Sequence, residues 1–273
     1  MTIKLPLPLS VFIIAKDEEA RILSAINSVI QFVDEVIVVE FGSSDRTVEI
    51  AKAAGASVVH NKWAGYGQQK IFGESLCRNK WILNIDADEE VTEELAIEIQ
   101  MMFETGHVET KCGYRIKIAN TFWFEEKPKK LAYCSNQTRL YNKETAGFRN
   151  SSVHDCVIID GVKDKTIAER KFVGQLKHKI SHRSFSSIFQ WTEKINKYSS
   201  MQAEDAVKNG KKTPVIKVAF GMVFSFFQAY FFQRFFIYGL YGIVFSSIYA
   251  YARMMKYSKI LELNDRKKSD LLY

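Results

Sequence analysis

Between residues 10 and 86 the chain repeats one pattern: a short apolar run rich in β-branched residues, a polar loop, then a stretch with helical spacing. The runs are residues 10–15 (Ser-Val-Phe-Ile-Ile-Ala), 35–40 (Glu-Val-Ile-Val-Val-Glu), 56–60 and 81–85. Runs this short and this continuously apolar fit strands buried on both faces of a parallel sheet. Between the first two, Ile22, Ile26, Val29 and Val33 fall on one face of a helix predicted over about residues 19–32. A second helix is predicted over 46–54, with Ser43, Ser44 and Asp45 offering N-caps and Gly55 as its stop. The order β-α-β-α-β predicts an α/β fold with a doubly wound, mostly parallel sheet. The first strand-to-helix loop, Lys16-Asp17-Glu18-Glu19, contains no glycine, so the GxGxxG pyrophosphate cradle is absent and hydride transfer on NAD is disfavoured.

The run at 81–85 ends in Asp86-Ala87-Asp88-Glu89-Glu90. In open α/β sheets ligands bind beyond the carboxyl ends of the strands. Two hard oxygen donors there suit Mg²⁺ or Mn²⁺, which in turn can hold a diphosphate. The metal-free alternative is an acidic loop entering a helix, with Thr92 as N-cap and Glu93 and Glu94 in its first turn. Residues 63–70 (Trp-Ala-Gly-Tyr-Gly-Gln-Gln-Lys) are expected over the same strand ends, where Lys70 either meets a phosphate or belongs to a solvated loop. Further strands are expected near 114–121 and 138–141. Residues 122–127, aromatic and charged, read as a binding loop or as an edge covered by another element, 154–155 as a His-Asp turn, and 177–183 as a basic lead into a helix over 187–208.

The formal net charge of +7 points to an anionic partner. The basic residues crowd around apolar helices and not along a polar groove, which argues against nucleic acid. Cys77, Cys112, Cys134 and Cys156 are widely spaced and read as reduced thiols, without a zinc site or a disulfide framework. Residues 1–9 are too short and proline-broken for a signal peptide, so a cytoplasmic domain is expected. Residues 218–233 and 235–252 carry no charge, and Arg234 separates them. Each run approaches the roughly 17–20 residues needed to span a bilayer. Gln228, Gln233 and Arg234 would be costly at its centre. Lys208, Lys211, Lys212 and Lys217 precede the runs, and Arg253, Lys256 and Lys259 follow them. That pattern fits helices lying in the interface of an anionic membrane. Two spanning helices, or a soluble hairpin that buries its aromatics in a homo-oligomer, are the competing readings.

Residues 10–19, 39–47 (Val-Glu-Phe-Gly-Ser-Ser-Asp-Arg-Thr) and 81–89, in that order and spacing, resemble a family 2 glycosyltransferase with the GT-A fold. The likeness continues through Thr138-Arg139-Leu140-Tyr141 and Val153-His154-Asp155 into the tail, and is similar to the branch of beta-1,4-glucosyltransferases of the lipopolysaccharide inner core. The resemblance implies a nucleotide-diphospho-sugar transferase domain over 1–207 and a basic, aromatic-rich, membrane-associating helical tail over 208–273. It implies that Ala15, Lys16, Glu18 and Ser43 line the nucleotide pocket, and that Glu40, where relatives usually have Asp, accepts a hydrogen bond from uracil. Lys70 would serve the donor, although Ile71 replaces an Asn common in relatives. Asp86 would sit near ribose and metal, and Asp88 would be the main ligand to Mg²⁺ or Mn²⁺. Asp155 would be the catalytic base, in a place where relatives more often have Glu, with His154 beside it; Glu125 and Glu126 are reserve candidates. The implied reaction is inverting transfer of glucose from UDP-glucose to a heptose of the lipopolysaccharide core, by a peripheral or monotopic enzyme on the cytoplasmic face of the inner membrane. Alternatives are the same chemistry on a polyprenyl-phosphate or capsule intermediate, and a non-catalytic nucleotide-binding membrane protein.

Overall fold

The computed structural model describes residues 5–148, 156–161, 171–211 and 215–270. The chain divides into two compact units, Met1–Thr121 with Cys134–Ser184, and Phe122–Tyr133 with Phe185–Tyr273. In chain order the first unit runs β1 (Leu7–Ala15), α1 (Ile22–Asn27), β2 (Val33–Glu40), α2 (Thr47–Ala53), β3 (Ser57–His60), α3 (Tyr66–Leu76) and β4 (Trp81–Asp86). Then come β5 (Glu89–Val91), α4 (Glu93–Glu104), β6 (Gly113–Asn120), β7 (Cys134–Asn142), β8 (Ala146–Phe148), β9 (Val157–Ile159) and β10 (Val173–His182).

Eight strands form one sheet in the order β3-β2-β1-β4-β7-β6-β10-β5. The first four are parallel, β7 runs against both β4 and β6, β10 is parallel to β6, and β5 is antiparallel to β10. The apolar runs are buried on both faces, as their composition requires. Leu9, Val11 and Ile13 of β1 join Ile22 and Ile26 of α1 and Leu95 and Ile99 of α4 in one cluster. Phe12 and Ile14 join Ile37, Ile82 and Tyr141 in the other. Successive side chains of a strand point to opposite faces, so a single run feeds both cores. Burial pushes the Cys77 thiol up to about 12, which keeps it unreactive.

Two expectations are corrected in this unit. The first helix covers Ile22–Asn27 only, because the residues before it are tied into a loop and those after it continue as turns. Ile22, Ile26 and Val29 are nevertheless fully buried. Residues 177–183 belong mainly to β10, between β6 and β5, and not to a helix lead-in. Its register against β6 breaks between Gln175 and Lys179, so the inward positions Val173, Leu176 and Ile180 are three and four apart. A bulge of this kind hides the two-residue period that marks a strand. Gly55 closes α2 as expected: its φ of 90° suits glycine, and its N–H donates to Lys52 O at 3.0 Å.

The second unit contains α5 (Ile188–Lys208), α6 (Val215–Phe227), a π-helical turn (Gln228–Phe232), a 3-10 turn (Phe235–Tyr238) and α7 (Leu240–Asp270). Ser187 caps α5, its hydroxyl accepting from Gln190 N at 3.1 Å. The core is aromatic: Phe122, Trp191, Phe235, Tyr238 and Phe245 pack together, with Phe122 and Phe245 stacked at 4.0 Å. Lys259 of α7 donates to Asn196 O and Oδ1 (2.7 Å each) and to Ser199 Oγ (2.9 Å), fastening α5 to α7. The packing boundary at residue 185 thus differs from the change in composition at residue 208. Arg234, at φ 59°, and Gly239, at φ 61°, break the apolar stretch into short pieces. Among the described residues no helix is long and apolar enough to cross a membrane.

Gly73 of α3 lies against the fully buried ring of Phe12, and a Cβ there would stand 2.6 Å from Phe12 Cδ2. Gly73→Ala is expected to destabilise the protein by about 1–3 kcal/mol through overpacking, measured by urea unfolding.

Candidate functional site

The carboxyl ends of β1, β2 and β4 lie side by side in the sheet, with Ala15 paired to Glu40 and Ile14 to Asp86. The loops leaving β1 and β2 are stitched together. Asp17, at φ 53°, accepts from Ser44 N (2.7 Å) and donates its own N–H to Ser43 Oγ (3.2 Å). Glu18 N donates to Thr47 Oγ1 at 2.7 Å, Glu19 N to Asp45 Oδ2 at 3.0 Å, and Arg46 N to Glu19 Oε2 at 3.1 Å. Asp45 also accepts from Thr47 N at 3.0 Å. Burial works against its charge, but these donors outweigh it and hold the Asp45 carboxyl below the ordinary range. Glu40 accepts from Gly42 N (2.9 Å) and Ser43 N (3.0 Å) through one oxygen and pairs with His60 through the other. Beside it Phe41, Trp63 and Tyr66 form an aromatic group, with ring centroids 4.5 and 4.8 Å apart, and Trp63 and Tyr66 are exposed.

At the end of β4 the two aspartates differ. Asp86 lies 3.0 Å from Arg139 Nη2 and 3.2 Å from Lys70 Nζ, and both cations are buried. Arg139 also donates to Glu89 Oε1 (2.9 Å) and Asn84 Oδ1 (2.9 Å), and Glu89 Oε2 accepts from Asp86 N at 2.9 Å. Burial opposes the charge on Asp86, but Arg139 and Lys70 hold its carboxyl well below the ordinary range. Glu89 is fully enclosed, and burial raises its carboxyl in spite of Arg139. Asp88 lies 3.3 Å from His182 Nε2 and 3.7 Å from Arg21 Nη1. Burial opposes its charge too, and His182 and Arg21 outweigh the burial. Arg21 is held in turn by Glu18 (2.7 Å) and by the carbonyls of Arg183 and Ser184. Arg183 N donates to Asp88 O at 2.8 Å, strapping the acidic turn to the end of β10.

The structure therefore brings Ala15, Lys16, Glu18, Glu40, Ser43, Lys70, Asp86 and Asp88 to one end of the sheet in the first unit. Ala15 is buried and Lys16 exposed. Lys70 is not in a solvated loop: it is buried on α3 and faces Asp86. His154 and Asp155 lie outside the described residues. Glu125, one of the two reserve base candidates, accepts from Phe122 N at 3.2 Å, which folds it back on its own turn in the second unit. Arg21, Glu89, Arg139 and His182 join the site without a signal in the sequence that marks them as members. Arg139 was visible inside a motif but carries no chemistry of its own, and His182 lay in the strand hidden by its bulge.

Among the described residues no three His, Cys, Asp or Glu side chains converge as a closed metal cage. Asp88 and His182 converge as a pair, one oxygen and one nitrogen donor. That set suits Mn²⁺ or Mg²⁺ completed by phosphate oxygens and water, the usual composition of diphosphate sites. Both oxygens of Asp86 face buried cations, which disfavours it as a second ligand.

Residues 10–170 match the family model described as Glycosyl transferase family 2. The chain is 43% identical over 259 residues to an "Uncharacterized glycosyltransferase" of Rickettsia bellii, covering 94% of this chain and 87% of that one. It is 26% identical over 231 residues to the "Lipopolysaccharide core biosynthesis glycosyltransferase LpsC" of Rhizobium meliloti, covering 82% of this chain and 81% of that one. Among solved structures it is similar to glucosyl-3-phosphoglycerate synthase of Mycobacterium tuberculosis over 42% of this chain and 44% of that one, at 26% identity and a TM-score of 0.32.

Two outcomes follow from the geometry. A carboxyl held below its ordinary value stabilises the fold above about pH 3.9, and that contribution is lost as pH falls through its folded value. The stability gap between the protein and Asp45→Asn is therefore expected at neutral pH and to shrink below about pH 4, followed by urea midpoints across pH. Arg139→Met would leave Glu89 and Asp86 adjacent with the guanidinium gone, and is expected to cost about 3–5 kcal/mol in the same assay.

Proposed function

The chain belongs to glycosyl transferase family 2, and from that premise we propose that it is an inverting, metal-dependent glucosyltransferase that moves glucose from UDP-glucose to a heptose of the lipopolysaccharide core. It is a glycosyltransferase with an α/β, GT-A-like fold; the donor, the metal and the acceptor are the proposal. The observation that carries it is Asp88 at the carboxyl end of β4 with His182 3.3 Å away.

Asp88 and His182 would hold Mg²⁺ or Mn²⁺. When bound, the cation neutralises the departing diphosphate as a Lewis acid. Asp86, fixed between Arg139 and Lys70, sits two residues back as the last residue of β4 and would orient the ribose and sugar. Glu40 acts on the base through its loop: both its oxygens are engaged, so it shapes the turn that presents Ser43, and Phe41, Trp63 and Tyr66 offer faces for uracil to stack on. Asp155 takes the proton from the acceptor hydroxyl as that oxygen attacks C1 opposite the leaving UDP, which inverts the anomeric centre. The Rhizobium meliloti relative, a lipopolysaccharide core biosynthesis glycosyltransferase by name, supports the lipopolysaccharide acceptor. In the second unit Phe220, Phe224, Phe232 and Leu240 are largely exposed among basic neighbours, which supports a peripheral or monotopic placement on the cytoplasmic face of the inner membrane. The same chemistry on a polyprenyl-phosphate or capsule intermediate is the alternative that product identification distinguishes.

Purified protein with a lipid A–heptose acceptor is expected to release UDP from UDP-glucose only when Mg²⁺ or Mn²⁺ is present. Asp88→Asn should lower that turnover by about 100-fold or more, given the several kcal/mol that a metal supplies to transition-state charge. Turnover that survives chelation, or that Asp88→Asn leaves unchanged, contradicts the assignment.

A further inference from the structure

Within the second unit α6 and α7 flank an open groove of about 420 Å³. Phe220 and Phe224 from α6 and Tyr257 from α7 give it apolar walls. Two charged side chains line it, Lys217 and Arg253, and both are cations; among its described lining residues there is no carboxylate. Arg253 is held in place. Its Nη2 donates to Tyr249 Oη at 3.1 Å and its guanidinium lies 5.5 Å from the centre of that ring. A guanidinium fixed in this way is pre-organised for a phosphate, with less freedom to lose on binding. Gly221 lies where the helices meet, since a Cβ there would stand 3.4 Å from Tyr257 Cε2.

An apolar trough with two cations has the chemistry of an amphiphile site. The trough takes a hydrocarbon chain and the cations take an anionic head. The walls face solvent: Phe220 is 65% and Phe224 is 71% exposed. Apolar surface of that kind is stabilised by a chain that covers it, at roughly 0.8 kcal/mol for each buried methylene.

We propose that this groove seats one acyl chain of an anionic phospholipid, with its phosphate held by Arg253 and Lys217. The inference rests on the membrane-associating reading of residues 208–273 and adds to it a specific lipid site. One bound lipid would fix the depth and rotation of α6 and α7 at the bilayer surface, beyond what a smeared electrostatic attraction gives.

The test uses the full chain and native mass spectrometry after release from mixed micelles of phosphatidylglycerol and phosphatidylcholine, with flotation on phosphatidylglycerol vesicles in parallel. The expected result is retention of one phosphatidylglycerol, with phosphatidylcholine retained about tenfold less, because its own choline offsets the phosphate charge and meets two cations in the groove. Lys217→Gln with Arg253→Gln should bring the two lipids level. Gly221→Leu, which fills the groove without touching a charge, should abolish retention while flotation persists; circular dichroism checks that its helices are intact. Equal retention of both lipids by the unaltered protein, or full retention by Gly221→Leu, overturns the lipid site. Unaltered protein that floats and retains no lipid overturns the groove alone, and protein that does not float overturns the membrane reading with it.

Discussion

The acidic end of β4 depends on one buried guanidinium. Arg139 of β7 reaches Asn84 and Asp86 of β4 and Glu89 of β5. Without it, two carboxylates three residues apart would face each other in a poorly solvated place, where neither ionises easily. With it, and with Lys70 coming up from α3, the pair splits: Asp86 stays anionic and the carboxyl of Glu89 is raised by its burial. The turn between β4 and β5 can then be tight, because Glu89 also accepts the N–H of Asp86. The position of Asp88 is a consequence of that turn.

Asp86 and Asp88 look equivalent on paper and are not. Asp86 has its charge answered from inside the protein by two buried cations. Asp88 is answered by an imidazole, which can exchange a proton for a metal, and by an arginine at 3.7 Å, a longer and weaker contact. A ligand to a divalent cation must give up its previous partner at little cost, and only Asp88 is so placed. The same logic reassigns Glu40. Its oxygens already accept from two backbone amides and pair with His60, so its first role is to hold the turn that leaves β2.

Most of the parallel half of the sheet was legible in the sequence, since runs such as Val11–Ile14 and Val36–Val39 admit few other environments. The acidic strand end was legible too, because the apolar run before it fixes where β4 stops. The buried polar network was not. Arg139 and Glu89 read as ordinary surface charges, since they lie on strands that are not neighbours in the sheet and meet only through their side chains, and no spacing rule along one strand announces a partner 50 residues away. His182 was lost for a simpler reason, the bulge that breaks the alternation of β10.

The second unit shows why composition marks a different boundary from packing. Residues 122–127 read as a binding loop or as an edge covered by another element, because aromatics beside charges at a strand end serve either, and the second is what the packing of Phe122 matches. Phe122 is buried among four aromatic residues contributed by α5, α7 and the 3-10 turn between α6 and α7. An excursion from the middle of the first unit's sequence thus supplies the core of the second. α5, polar enough to pass for part of an ordinary domain, gives its apolar stripe of Trp191, Ile195 and Ala203 to the same unit. The exposed aromatics of α6 are what remains once that core is filled, and their excess over what folding needs is the physical reason to seek a lipid partner for them.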